Sequence, residues 1–164
     1  MPPRSSERPQ VSAVDAGLRL LAWRAHSRVE LRRKLSRRGY DEDEVQRAES
    51  RLAELGYLDD AAFAEGHVRR RGESLGPRAL SSEMAARGVD RQVADKALAA
   101  FDREAQFAAA TRLAERLCAR GLPPGYKELL DSVGAKLVRR GFSPSVARAA
   151  CQAVWTGAVG TPGA

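Results

Sequence analysis

Two aspartates stand side by side at Asp59 and Asp60, in the phrase GYLDDAAFAEGHVRRR. A paired carboxylate can hold a divalent metal and with it cut a phosphodiester. The same pair, just past a turn and at the mouth of an apolar-periodic run, is also what an N-cap and a first-turn acid require. Neighbouring side chains at a helix start diverge, and no third ligand stands at matching spacing. The capping role is therefore expected, with no metal and no other cofactor. Other reactive groups are isolated. His26 precedes the serine of a helix start, His67 faces a basic run, and Cys118 and Cys151 form no CxxC pair and sit in alanine-rich helical stretches. Both thiols read as small core residues. Neither a GxxxxGK[ST] phosphate loop nor a GxSxG elbow occurs. No catalytic residue is expected, and the chain reads as a binding protein rather than an enzyme.

What the sequence does offer is positive charge. The net charge of +7 is unevenly spread: residues 1–40 carry 10 basic against 3 acidic groups, 41–65 carry 2 against 9, 66–130 carry 12 against 8, and 131–164 carry 4 against 1. In SRVELRRKLSRR the apolar Leu31 and Leu35 set the inward face of a helix. At about 100° per residue, Arg32, Arg33 and Arg37 then point outward, with Arg28 and Arg38 flanking the core. Arg28, Arg32, Arg33, Lys34, Arg37 and Arg38, together with Arg69, Arg70, Arg71, Arg139 and Arg140, are the candidate contacts to an anionic partner.

The elements that must position them are announced by a corner spelled three times: KLSRRGYD at 34–41, EMAARGVD at 83–90 and KLVRRGFS at 136–143. Each is a helix end followed at once by a helix start. Gly39, Gly88 and Gly141 fall where the chain must turn left-handed. Apolar pairs span each corner, Leu35 with Tyr40, Met84 with Val89 and Leu137 with Phe142, as the glycine-closed helix end requires. Asp41, Asp90 or Ser143 then caps the next helix, with Pro144 at a first helical position. Gly56, with Leu52 and Tyr57, should end a helix by the same device.

The corners are 49 and 53 residues apart, the period of a stacked helical array. Filling in each unit predicts helices near 14–25, one opened by a Ser27/Glu30 capping box, and 42–55; then 60–71, 77–87 and 91–101; then 103–120, 127–140 and 144–155. No strand is predicted, because period-two alternation is nowhere sustained. Gly17 and Gly66 interrupt helices at roughly 1 kcal/mol each relative to alanine, which close helix packing would explain. The expected organisation is a tail at 1–12, three-helix repeats at 13–58, 59–102 and 103–156, and a tail at 157–164, both tails disordered. With 43% hydrophobic residues but 5% aromatics, each unit is small and leans on its neighbours. No apolar run approaches bilayer length and the start is polar, so a soluble cytoplasmic monomer without membrane contact is expected.

The ordered phrases HSRVELRRKL, GYLDD with Phe63 and Ala64, LGPRAL and LVRRGFS, spread over about residues 18–155, resemble the RecX family, the bacterial regulators of the recombinase RecA. The chain departs from that pattern at Gly76–Leu80, where Arg78 falls one step off the family's basic position. The resemblance implies an all-α, elongated and curved array of three tandem three-helix repeats. It implies a negative regulator that binds the RecA filament on single-stranded DNA, inhibits its ATPase and strand exchange and favours its disassembly, within recombinational repair and the SOS response. Weaker, electrostatic binding to single- and double-stranded DNA goes with it. The helix-turn-helix-like corners and positive charge leave a second reading, a DNA-binding transcriptional repressor. The nearly all-arginine basic helix speaks for phosphate or acidic protein surfaces rather than base edges.

Overall fold

Gly39, Gly88 and Gly141 turn left-handed, with φ of 91°, 76° and 93°. In each corner the residue after the glycine donates its N–H five residues back: Tyr40 to Leu35 O (3.4 Å), Val89 to Met84 O (3.0 Å) and Phe142 to Leu137 O (3.2 Å). All six of these side chains are buried. The backbone bond closes the helix and the apolar pair seals it.

The computed structural model describes residues 10–160, and every regular element among them is helical. Repeat 1 comprises α1 (Ala13–Trp23), α2 (Arg28–Arg37) and α3 (Glu42–Glu54). Repeat 2 comprises α4 (Asp60–Arg71), α5 (Pro77–Ala86) and α6 (Arg91–Ala99). Repeat 3 comprises α7 (Arg103–Leu117), then α8 (Tyr126–Leu129), a π-helical segment (Leu130–Gly134) and α9 (Ala135–Arg139) run together, and finally α10 (Pro144–Val159). The π segment interrupts what the spacing predicts as one α-helix. Ser132 donates its hydroxyl to Glu128 O at 2.7 Å, a back-bond of the kind that bends helices.

The most extensive helix-on-helix packing lies inside the repeats: α1, α2 and α3 on one another, α4, α5 and α6 likewise, and α7 with α9 and α10. Repeat 1 keeps its own core around Leu31, Leu35, Val45 and Leu52. Repeats 2 and 3 share one that runs from Phe63 through Leu80 and Met84 to Leu137 and Phe142.

The repeats meet end to end through their middle helices, and this is why the corner recurs. The start of α5 docks on the third corner, with Gly76 N–H donating to Arg140 O (2.8 Å) and Arg78 N–H to Gly141 O (3.3 Å). The start of α2 docks on the second corner, with the buried Ser27 hydroxyl donating to Arg87 O and Arg33 reaching Ala86 O at 3.3 Å. Asp60 completes this joint by accepting the Arg28 N–H at 2.8 Å. Each joint supplies donors to carbonyls that a helix end would otherwise leave to water. Joints this close need glycine: a methyl at Gly88 would lie 2.5 Å from Val29, and one at Gly141 would overlap the backbone of Ala79. Among the described residues, no other repeat docks on the first corner, and a methyl at Gly39 would meet nothing within 4 Å.

Several expectations change in detail. Ser27 accepts from Glu30 N–H (3.1 Å), but Glu30 does not complete the capping box. Its carboxylate turns to Arg24 at 2.8 Å and Arg87 at 3.5 Å, where charge-assisted bonds outweigh one to a neutral N–H. The complete box is Asp41 with Glu44. At the Gly56 corner, Tyr57 N–H does bond Leu52 O (2.9 Å), but Tyr57 is 59% exposed, and Leu58 fills the core instead. Two residues separate Gly56 from the Asp59 cap, against one in the other corners, so the chain has room to rotate the next side chain inward.

The tails are shorter than expected where they are described. Ser12 caps α1, Val11 O accepts from the Tyr40 hydroxyl (2.8 Å), and α10 continues to Val159. The rest of the expected tails, 1–9 and 161–164, lies outside the described residues. Gly17 serves close packing, since a methyl there would lie 2.6 Å from Leu52 Cδ1.

Candidate nucleic-acid and partner interface

Folding distributes the candidate basic residues over four places. On α2, Arg28 and Arg32 reach back to Glu49 of α3 at 3.6 and 3.4 Å. Arg33 points to the joint with repeat 2, Lys34 is half-buried, and Arg37 and Arg38 are exposed beside the first corner. On α4, Arg69 borders a 470 Å³ groove with Lys96, Arg112 and Phe101, rimmed also by Glu65 and Glu73. Arg70 and Arg71 turn instead to the joint between repeats 1 and 2. Arg139 and Arg140 are exposed at the third corner, away from α2 and α4 along the row of middle helices. Among the described residues, no carboxylate pairs with Arg33, Lys34, Arg37, Arg38, Arg69, Arg70, Arg139 or Arg140.

The joint gathers charge that the sequence does not announce. Arg24, at the end of α1, and Arg87, at the end of α5, share Glu30. Burial alone would push the Glu30 carboxyl up, but Arg24 and Arg87 hold it below the ordinary range. Glu83 of α5 is likewise held down, first by its bond to Arg71 at 2.9 Å and also by His67 at 2.8 Å. Arg24 and Arg87 are absent from the sequence-derived set. A signal for one existed: Arg38, Arg87 and Arg140 occupy the same position before the corner glycine.

Both histidines are buried, and burial lowers both pKa values, in His67 despite the bond to Glu83. His26 bonds Arg24 O through Nδ1 at 2.8 Å, which assigns the proton to Nδ1, and its buried Nε2 has no partner among the described residues. A base with a depressed folded-state pKa binds fewer protons folded than unfolded, so stability is complete above the unfolded value near 6.5 and falls as pH drops through that value toward the folded one. Melting temperature is expected to fall between pH 7.5 and pH 5.5. Replacing His26 and His67 by glutamine should flatten that decline; an equal decline in the variant would assign it elsewhere.

Asp59 and Asp60 serve backbone. Asp59 Oδ1 accepts from Ala61 N–H (2.8 Å) and Ala62 N–H (3.1 Å), while Asp60 points across the joint to Arg28. Among the described residues, no three His, Cys, Asp or Glu side chains come together as metal ligands. Asp59→Asn, which keeps a capping oxygen, should shift stability by less than about 1 kcal/mol. Neither magnesium nor manganese should bring about DNA cleavage by the wild-type protein; metal-dependent cutting lost in the variant would restore a nuclease. Cys151 is buried and Cys118 half-buried, and burial raises both thiols. Neither is poised as a nucleophile. No helix among the described residues is long and apolar enough to cross a membrane.

Comparison with known proteins gives this architecture relatives. Family models described as the first and second three-helix domains of RecX match residues 13–52 and 59–98, that is, repeats 1 and 2. The chain is 42% identical over 136 residues to the Regulatory protein RecX of Mycobacterium sp. (strain JLS), covering 79% of this chain and 74% of that one. It is 43% identical over 141 residues to the Regulatory protein RecX of Halorhodospira halophila (strain DSM 244 / SL1), covering 85% and 86%. The crystal structure of RecX from Lactobacillus salivarius shares the fold, with a TM-score of 0.76 at 24% identity over 87% of this chain and 94% of that one. With identity of this degree over more than two thirds of the chain, the chain belongs to the RecX family of regulatory proteins.

Proposed function

We propose that this protein is a negative regulator of the RecA recombinase, binding the RecA filament on single-stranded DNA and inhibiting its ATPase and strand exchange. The observation that carries the reading is family membership over most of the chain. The end-to-end row of repeats supports it, since it spreads unneutralised arginines from the first corner to the third, suiting an extended partner better than a compact one. Electrostatic attraction guides the encounter, and the repeats then lodge between filament subunits and across the DNA they hold.

The repressor reading fits less well. Its recognition helix in repeat 1 would be α3, which opens on Glu42, Asp43 and Glu44, and phosphates would repel that start. The test is the DNA-dependent ATPase of a cognate recombinase titrated with this protein. A graded loss of turnover is expected, and a flat titration would remove the proposal.

A further inference from the structure

We infer that the notch where repeats 1 and 2 meet is a single-stranded nucleic-acid site, with a backbone phosphate among its arginines and an unpaired base on Tyr57. A 410 Å³ cavity there is lined by Arg24, Phe63, His67, Arg70, Arg71 and Arg87, with Ala25. Arg24 comes from repeat 1, the other charged groups from repeat 2. Among the described residues, no carboxylate lines this cavity. Glu30 and Glu83 stand behind it as partners of Arg24, Arg87, Arg71 and His67, so four guanidiniums face two carboxylates and the notch keeps positive charge. Convergent guanidiniums of this kind match the oxygens of a phosphate.

Arg70 is the group left over. It makes no ion pair among the described residues, and it lines both this cavity and an adjoining 160 Å³ one. Its guanidinium folds back over α4 beside Gly66, where a methyl would lie 2.9 Å from Arg70 Nη1, the movable end of that side chain.

Tyr57 decides the kind of ligand. It lines the adjoining cavity with Arg70, and the residue is 59% exposed, whereas Tyr40, Val89 and Phe142, after the other corner glycines, are buried. Asp59 also borders this second cavity, but its Oδ1 is engaged by the Ala61 and Ala62 N–H groups. A free aromatic face beside a guanidinium stacks an unpaired base while the cation takes the phosphate. A duplex offers no unpaired base, and a free inorganic anion needs no ring.

The inference deepens the DNA-binding part of the proposed function and rests on it only there. Its test therefore omits the recombinase: a flat ATPase titration with DNA binding intact would leave the notch standing. The measurement is the affinity of labelled oligodeoxythymidylate over a range of salt, for wild type, Arg70→Gln, Tyr57→Ala and the exposed control Arg91→Gln, each verified by circular dichroism. Arg70→Gln should flatten the dependence of log affinity on log salt by roughly 0.7. Tyr57→Ala should weaken binding about tenfold with the slope unchanged, and should have no such effect on a duplex of equal length. A merely structural role would not divide slope from affinity in this way. If both variants match Arg91→Gln, the site is refuted. If inorganic pyrophosphate binds with dependence on Arg70 while Tyr57→Ala is silent on the oligonucleotide, the notch holds a free anion and the nucleic-acid assignment is overturned.

Discussion

Reversing Arg32, Arg33 and Arg37 together to glutamate is expected to leave the helical content intact and to raise the amount of protein needed for half-inhibition of the recombinase roughly tenfold or more. The fold should survive because Leu31 and Leu35, both fully buried, hold α2 in place while all three arginines are exposed. Two local costs arise: the Arg33 bond to Ala86 O is lost, and a carboxylate at position 32 would face Glu49, which now pairs with Arg32 at 3.4 Å. At a surface the latter is worth less than about 1 kcal/mol. Binding suffers more, since three charges that attract phosphate or filament carboxylates would repel them. Neutral replacements separate the two targets. If α2 meets single-stranded DNA, each lost contact should lower the salt slope on bare DNA by roughly 0.7. If α2 meets protein, that slope should not move while inhibition still weakens. Full inhibition by the reversed variant would show that α2 presents a merely solvated face, with repeats 2 and 3 carrying the contact.

Replacing the three corner glycines by alanine should give three different losses of stability, although their sequences look interchangeable. Gly39→Ala should cost about 1–2 kcal/mol, the penalty of left-handed backbone alone, because its surroundings are open. Gly88→Ala adds a clash with the Val29 side chain, which can shift. Gly141→Ala adds a clash with the backbone of Ala79, which cannot shift without opening the joint between repeats 2 and 3. Overpacking of that kind adds roughly 1–3 kcal/mol. At about 2–4 °C per kcal/mol for a chain of this size, Gly141→Ala should melt the lowest of the three by thermal denaturation. Equal losses would mean that the second and third corners are not joints.

The corners were legible because everything they need lies within eight residues: an apolar residue, a glycine, a second apolar residue and a cap. Local chemistry also placed Asp59 as a cap, which its two backbone bonds bear out. Legibility failed where a side chain had a choice between near and distant partners. Glu30 had the spacing for a capping box, yet Arg24 and Arg87 compete for it, and Arg87 arrives from another repeat. Tyr57 occupied the sealing position of its corner, yet Leu58 took the core. Gly66 looked like a packing glycine, yet the atoms nearest a methyl there belong to the movable guanidinium of Arg70.

The sequence by itself determined the all-helical class, the period of the repeats and the inward faces of the helices, because turn geometry, capping and apolar periodicity act over one or two helical turns. Tertiary structure alone decided which charges remain free. The acidic block at 41–65 is folded against the basic block before it, so that Glu49 lies on Arg28 and Arg32 while Arg37 and Arg38 remain exposed. The end-to-end docking of α2 on α5 brings Arg24 to Arg70, Arg71 and Arg87. Such pairings depend on how one repeat's helix start meets another's corner, and residue spacing within a single repeat carries no record of that contact.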